Sequence, residues 1–455
     1  MKKPTRYSAA LALLLALGLL GGCSQSSSDA SASSQEDALS GQQTAATAMD
    51  TSSLFSDRDL EGTYDESAAI PIQLSGDSAA CDSSAVTVEG STITITAEGV
   101  YLLSGTLTDG QIVVNAGETD KVQLVLAGAD ITSSTSAAIY ALEGDKVFIT
   151  LAQGTENTLT NGGEYIAIDD NNIDGVIFAK TDLTLNGTGS LTINAQAGHG
   201  VVSKDDLVIT GGSYTVTAAS HGLSAKDSIA IAGGTFAITS GKDGIHAENS
   251  EDTSLGYLYL ADGTYTITAQ GDAISASGAA QIDGGTYTLT TGEGSASVTM
   301  TSSDTAAQPG GHGGWSKGTL PGTQTTDAQA PQAQTTAAQT ETTQTETDTT
   351  DSTSQKGIKA EGGLVLNGGV FTMDTVDDCL HSGGDLLVTA GEFNLSSGDD
   401  AVHSDAALTI QNGTFTIPYC YEGLEGLSIT IEDGTFTITS HDDGLNAAGG
   451  ATARA

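Results

Sequence analysis

The chain has 455 residues, long enough for a large core, and carries 57 Asp and Glu against 14 Lys and Arg, a formal net charge of −43. Such a surface repels nucleic acid and bare anionic membranes, and suits cations or ligands delivered with cations. The same acidity also serves to keep a secreted protein soluble.

Lys2, Lys3 and Arg6 precede an apolar run over 9–20, too short for a mature transmembrane helix, which ends at Gly21-Gly22-Cys23. The pattern is similar to a bacterial lipoprotein signal over 1–22. It predicts that the thiol of Cys23 carries lipid and that the mature chain is tethered outside the cytoplasmic membrane. Residues 23–53 are rich in Ser, Ala, Gln and Asp, lack apolar periodicity, and read as a flexible spacer.

From 54 to 455 the pattern is β throughout. Between Val86 and Leu159, runs such as Thr92-Ile-Thr-Ile-Thr and Val122-Gln-Leu-Val-Leu alternate or stay apolar between Gly, Asp and Asn turns, and should begin and cap a stack. A phrase of about 22 residues then recurs: Gly-Gly-Thr-Tyr/Phe-Thr-Ile-Thr, an acidic turn, and Gly/Ala-hydrophobic-His. Its aromatic anchors fall at Tyr214, Phe236, Tyr265, Tyr287, Phe371, Phe393, Phe415 and Phe436, with gaps of 22, 29, 22, 84, 22, 22 and 21. Each unit holds three short strands and three turns. One such coil cannot bury its apolar face alone but stacked coils can, so the fold class is all-β, a parallel β-solenoid. The gap of 29 is one period plus an excursion over 249–255. The gap of 84 contains a Thr-, Gln- and Ala-rich insertion over about 292–355, expected to be a disordered loop and holding Trp315, which could lie against a sugar ring.

With Cys23 lipidated, Cys81, Cys379 and Cys420 leave an odd number. The repeat offsets set Cys379 and Cys420 roughly 10 Å apart along the axis, beyond disulfide reach, so buried thiols are expected, with Cys379 in the slot that Gly244, Ala273, Ala401, Gly423 and Gly444 occupy in other coils.

Seven residues after each anchor lie His221, Asp243, Asp272, Gly294, Asp378, Asp400, Glu422 and Asp443, and the sixth position adds Asp377, Asp399 and Asp442. Equal offsets stack one strand spacing apart. Two carboxylates there repel by about 3.5 kcal/mol at an effective dielectric of 20, so a neutralising partner is expected. Calcium suits the need, since it takes six to eight oxygens without strict geometry, and Asp243, Asp272, Asp377, Asp378, Asp399, Asp400, Glu422, Asp442 and Asp443 are its candidate ligands. Asp also favours such turns for backbone reasons alone. Three positions further lie His246, His381, His403, Glu425 and Asn446. The histidines are candidates for sugar contacts or a transition metal, and stacking of exposed polar residues explains them equally well. Asp169-Asp-Asn-Asn-Ile-Asp174 has a cation-loop composition without EF-hand spacing. Lys180, Lys204 and Lys226 should form a basic strip, with Lys204 and Lys226 candidate glycan contacts.

The Gly21-Gly22-Cys23 lipobox, Gly105-Thr-Leu-Thr-Asp-Gly-Gln-Ile-Val-Val, Val201-Val-Ser-Lys-Asp-Asp-Leu and the repeated Asp-Asp-Gly/Ala-hydrophobic-His turns resemble the clostridial-type cell-surface carbohydrate-binding β-helix proteins, whose fold is similar to that of pectate lyases. The resemblance covers about 54–450. It implies a right-handed parallel β-helix that binds calcium and plant cell-wall polysaccharide, either cellulose or acidic sugars such as polygalacturonate, without catalysis. The polysaccharide and, through lipid, the membrane are the expected partners of a monomer. Two other functions stay open: a calcium-dependent polysaccharide lyase using Lys204 or Lys226 as base, and a structural adhesin. An arginine-based lyase site is disfavoured, because Arg6, Arg58 and Arg454 all lie outside the repeats.

Overall fold

A computed structural model describes residues 47–300 and 354–447. The expectations for the signal, for Cys23, for most of the spacer and for Trp315 lie outside these residues. No helix among the described residues is long and apolar enough to cross a membrane.

The described residues form 36 strands, of which nearly all pair in parallel along three ladders. In each regular coil an aromatic-bearing strand of about six residues leads through a turn into a three-residue strand. A second turn leads into a third strand, and a Gly-containing turn closes the coil. Thr235–Ser240, Ile245–Ala247 and Tyr257–Leu260 are one such set. Registers run without slip across both long gaps: Phe236 pairs with Tyr265, and Tyr287 with Phe371. Both excursions therefore leave from turns, and the architecture is the expected parallel β-helix.

The strand pattern explains the core. In Thr264–Ala269 every second residue is buried, so Tyr265 and Ile267 point inward while the threonines face solvent. One coil spacing then places ring on ring. From Tyr214 to Phe436 the eight anchors stack with centroids 4.4–5.3 Å apart and planes within 12° of parallel. The glycine two residues earlier lets each ring fold back over its own turn: at Gly391, φ is +141°, and a Cβ would lie 2.8 Å from the Phe393 ring. Buried tyrosine hydroxyls donate to turn carbonyls, as Tyr287 does to Gly284 at 2.8 Å.

The first coils are irregular, as expected of a cap. Val86–Glu89 and Thr92–Ile95 form an antiparallel hairpin, and Ile70–Gly76 pairs antiparallel with Ser78–Ala80 before joining the first ladder. The folded part reaches further toward the N-terminus than 54. Met49 N–H donates to Gln281 at 2.7 Å, Phe55 packs on Tyr259, and Arg58 sits 4.4 Å over Phe148. The short helix Asp57–Glu61 is capped by Ser56. Its buried Asp59 takes Lys146 at 2.8 Å and the Thr184 hydroxyl at 2.6 Å, so this segment straps the outer side of the third ladder.

Cys379 and Cys420 are buried free thiols and Cys81 is half-buried. Cys379 occupies the small-residue slot beside Gly357 and Ala401, and burial pushes its thiol well above the usual range.

Truncating one ring of the stack removes contacts to two coils at once. Phe393→Ala should destabilise the domain by about 3–5 kcal/mol in chemical unfolding, with the strand signature of the circular dichroism retained. A loss below 1 kcal/mol would mean that the stack carries no weight.

Candidate functional site

The turn from the aromatic strand to the short strand carries the acidic positions, and the coil repeat files them in a column as anticipated. Asp243, Asp272, Asp378, Asp400 and Glu422 are buried; Asp377 is half-buried; Asp399, Asp442 and Asp443 are exposed. The buried members are held by the chain itself. Asp243 Oδ1 accepts the backbone N–H of Asp272 at 2.8 Å, Asp272 Oδ1 that of Lys356 at 2.7 Å, Asp378 Oδ1 that of Asp400 at 3.1 Å and Asp400 Oδ1 that of Glu422 at 3.2 Å. Earlier in the column imidazole does the same work: His199 Nδ1 accepts from His221 at 3.3 Å, and His221 Nδ1 from Asp243 at 3.2 Å. Each side chain thus caps the equivalent amide of the following coil, an amide that would otherwise be buried without an acceptor.

Lys356 tests this rule. It stands at the column position that offset counting assigned to Gly294, which instead lies in the excursion turn beside Asp374; it has no acceptor to offer, and Asp378 N–H turns to Asp377 Oδ1 at 3.0 Å. The Lys356 ammonium lies 2.8 Å from both Asp377 Oδ2 and Asp378 Oδ2. Burial opposes its charge, yet the two carboxylates hold it above the ordinary lysine value.

The outward residue of each short strand forms a second column beside the first. Registers place Ser224, His246, Ser275, Lys359, His381, His403, Glu425 and Asn446 in file. The two columns pair within each coil. His246 Nδ1 is 2.7 Å from Asp243 Oδ2, His381 Nδ1 2.9 Å from Asp378 Oδ2, His403 Nδ1 3.0 Å from Asp400 Oδ2, and Asn446 Nδ2 donates to Glu422 at 2.7 Å. Lys359 instead reaches back one coil, to 4.0 Å from Asp272 Oδ2. Burial, together with the charge of Asp243, raises Asp272 to about 6, and burial with Asp378 and Asp377 raises the exposed Asp399. The expectation that something must neutralise the column is met in good part by Lys356, Lys359, the histidines and backbone amides. A carboxylate excess remains at Asp377 and Asp399.

A third column lies one residue beyond the short strands, where Lys180, Lys204, Lys226 and Glu248 succeed one another. Lys204, Lys226 and His246 line an open groove of about 510 Å³ together with Ser224 and Glu248, and the excursion over 249–255 supplies Ser250 and Glu251 as its wall. Lys226 pairs with Glu251 at 2.6 Å, and Lys204 lies 5.4 Å over the Phe178 ring. His381 and His403 sit further along the same face with rings 5.0 Å apart, outside this groove. The 169–174 loop is tied to the strand Ile139–Glu143 and to itself: Asp169 accepts from the Tyr140 hydroxyl at 2.7 Å and from Asn171 N–H at 2.8 Å. Lys356, Lys359 and the acidic partners Glu248, Glu251 and Asp405 were not singled out in the sequence. Lys356-Gly-Ile-Lys aligns with Asp243-Gly-Ile-His, so the substitution of two lysines for an Asp–His pair was the available signal.

Burial opposes a charge on His246, but its hydrogen bonds to Asp243 and Glu248 hold it protonated up to about 10. The folded value lies above the unfolded 6.5, so this pair's stabilisation is complete below 6.5 and lost as pH rises through about 10. The thermal midpoint should fall across that window, and His246→Asn should flatten the fall. An unchanged slope in the variant would count against the pairing.

The carbohydrate-binding domain-containing protein family matches residues 89–401. A carbohydrate-binding domain-containing protein of Acetivibrio thermocellus is 43% identical over 128 residues, 28% of this chain and 45% of that protein, so the chain spans less than half the length of this curated relative. A solved structure, that of a polysaccharide lyase-like protein from C. thermocellum as a gadolinium derivative, is 37% identical, with a TM-score of 0.47, and covers 50% of this chain and 90% of that one. The fold assignment rests on the strand registers. With well over half of its length matched, the chain belongs to the carbohydrate-binding domain-containing protein family.

Proposed function

We propose that this chain binds an acidic cell-wall polysaccharide such as polygalacturonate without cleaving it, at the bacterial surface, with lipid on Cys23 as its tether and calcium as the bridging ion. The observation that carries the reading is the groove in which Lys204 and Lys226 stand one coil apart, with Ser224 beside them and the largely buried His246 in its wall. Stacked lysines offer point charges to successive uronate carboxylates, and Ser and His offer hydroxyl contacts. The Lys226–Glu251 pair is exposed and worth little, so a sugar carboxylate can displace it.

Calcium fits one part of the acidic column better than the rest. Asp377, Asp378 and Asp399 each bring an oxygen within 4.8 Å of the others, and Asp377 and Asp399 reach solvent. Two of these oxygens already hold Lys356, so an ion competes with that ammonium. Its remaining oxygens would come from water and uronate. Asp243, Asp272, Asp400 and Glu422 have oxygens committed to neighbouring N–H groups, and Asp442 and Asp443 join no such cluster among the described residues.

A lyase needs a basic group that is free to take a proton. Glu251 holds Lys226 protonated above its ordinary value, and the one arginine among the described residues, Arg58, is engaged over Phe148. Both disfavour those two groups as the base, which leaves Lys204 as the base a lyase would use.

Retention on polygalacturonate should require calcium, fall at least tenfold in a Lys204→Ala/Lys226→Ala double variant and generate no ultraviolet absorbance from unsaturated products. New absorbance that the double variant abolishes would establish the lyase instead. Retention on neither polygalacturonate nor cellulose would favour an adhesin.

A further inference from the structure

One point on the short-strand face differs from every other Asp–His pair. His246 and His381 each meet a single column carboxylate through Nδ1. His403 meets two: its Nδ1 lies 3.0 Å from Asp400 Oδ2 and 3.0 Å from Glu425 Oε2, the latter reaching across from the next coil. The cause lies in the sequence, since Glu425 occupies the outward position where the preceding coils carry His403 and His381.

The far nitrogen of the same ring is fixed as well, with His403 Nε2 3.1 Å from Asp405 Oδ1. A carboxylate on the outer nitrogen is the arrangement by which metal-ligating histidines are oriented and made more basic. With the Nε2 proton committed to Asp405, Nδ1 faces two carboxylate oxygens. A positive charge, either a second ring proton or a metal ion, must then sit among the three atoms. One imidazole nitrogen and two carboxylate oxygens carry a formal charge of about −2, which a divalent cation cancels. Ligands about 2.1 Å from a metal lie about 3.0–3.4 Å from one another, close to both measured separations. The donor set mixes nitrogen and oxygen, which suits zinc and its neighbours rather than calcium, a ion that takes oxygen alone.

We infer that Asp400, His403 and Glu425 form a site for a divalent transition-metal ion of the zinc class, positioned by Asp405 and open to solvent on the Glu425 side. Lys356, which neutralises the preceding coil, contacts Asp377 and Asp378, and no lysine among the described residues pairs with this triad. The site is separate from the lysine groove, lies next to the Asp377–Asp378–Asp399 cluster with a His403 nitrogen within 4.8 Å of an Asp378 oxygen, and does not depend on the glycan reading.

The test is titration of the full chain with zinc by calorimetry and with cobalt by visible absorption. About one equivalent of either should bind, with cobalt giving ligand-field bands of a nitrogen- and oxygen-ligated ion, and excess calcium should not displace it. His403→Asn and Glu425→Gln should abolish the bands, while Asp405→Ala should weaken binding by about 10–100-fold. Lys204→Ala/Lys226→Ala should leave zinc binding unchanged, and Asp405→Ala should leave retention on polygalacturonate unchanged, which separates the two claims. Circular dichroism identifies any variant that fails to fold, and Glu425→Gln, the mildest change, then decides. Undiminished binding in folded Glu425→Gln and Asp405→Ala, or displacement of zinc by calcium, would overturn the proposal.

Discussion

Repetition at one strand spacing is the constraint from which the rest of this molecule follows. A coil of about 22 residues places every side chain directly above its counterpart, so each position must be able to sit beside a copy of itself about 4.8 Å away. Aromatic rings meet that condition by stacking, threonines by facing water, and small residues by leaving room. Carboxylates do not meet it unaided. In the column from Asp243 to Glu422, Asp243, Asp378 and Asp400 each give one oxygen to the amide of the next coil and the other to a histidine in their own coil. Like charges then stand in file because each is spent on a different neighbour.

This changes what the acidic column is for. Buried carboxylates with complete hydrogen bonding are structural members whose removal leaves an amide or imidazolium unmatched. Exchange with solvent belongs to the adjacent positions: Asp377 and Asp399 on one side, and Ser224, His381 and His403 of the outward file on the other. The rigid column orients these groups through hydrogen bonds at 2.7–3.0 Å and so sets a regular polar face along the short strands. An elongated binding face suits a polymer better than a small molecule, in keeping with the family to which the chain belongs.

Much of this was legible in the sequence, since a repeat converts spacing directly into position. The aromatic anchors, the small slot of Cys379, both excursions and the columns of Asp and His all follow from equal offsets. What escaped were interactions between offsets. The capping of Asp272 N–H by Asp243 depends on backbone direction in the turn, which spacing does not encode. Lys356 and Lys359 were visible as departures from the Asp–His pattern, yet charge compensation shows only once Lys356 is seen between Asp377 and Asp378. The strap from Met49 to Glu61 lacks periodicity because it lies across the coils instead of joining them, and so read partly as spacer. The groove needed both the lysine file and the wall at Ser250 and Glu251, which come from a turn whose path no repeat predicts.

The most direct measurement compares Asp243→Asn with Asp243→Ala by hydrogen exchange of the segment containing Asp272, alongside thermal unfolding. Both variants lose the charge beside His246, and only the alanine loses the oxygen that accepts Asp272 N–H. The account predicts near-native protection at Asp272 in the asparagine variant and a further loss of about 1–3 kcal/mol in the alanine variant. Equal protection and equal stability in the two would contradict it.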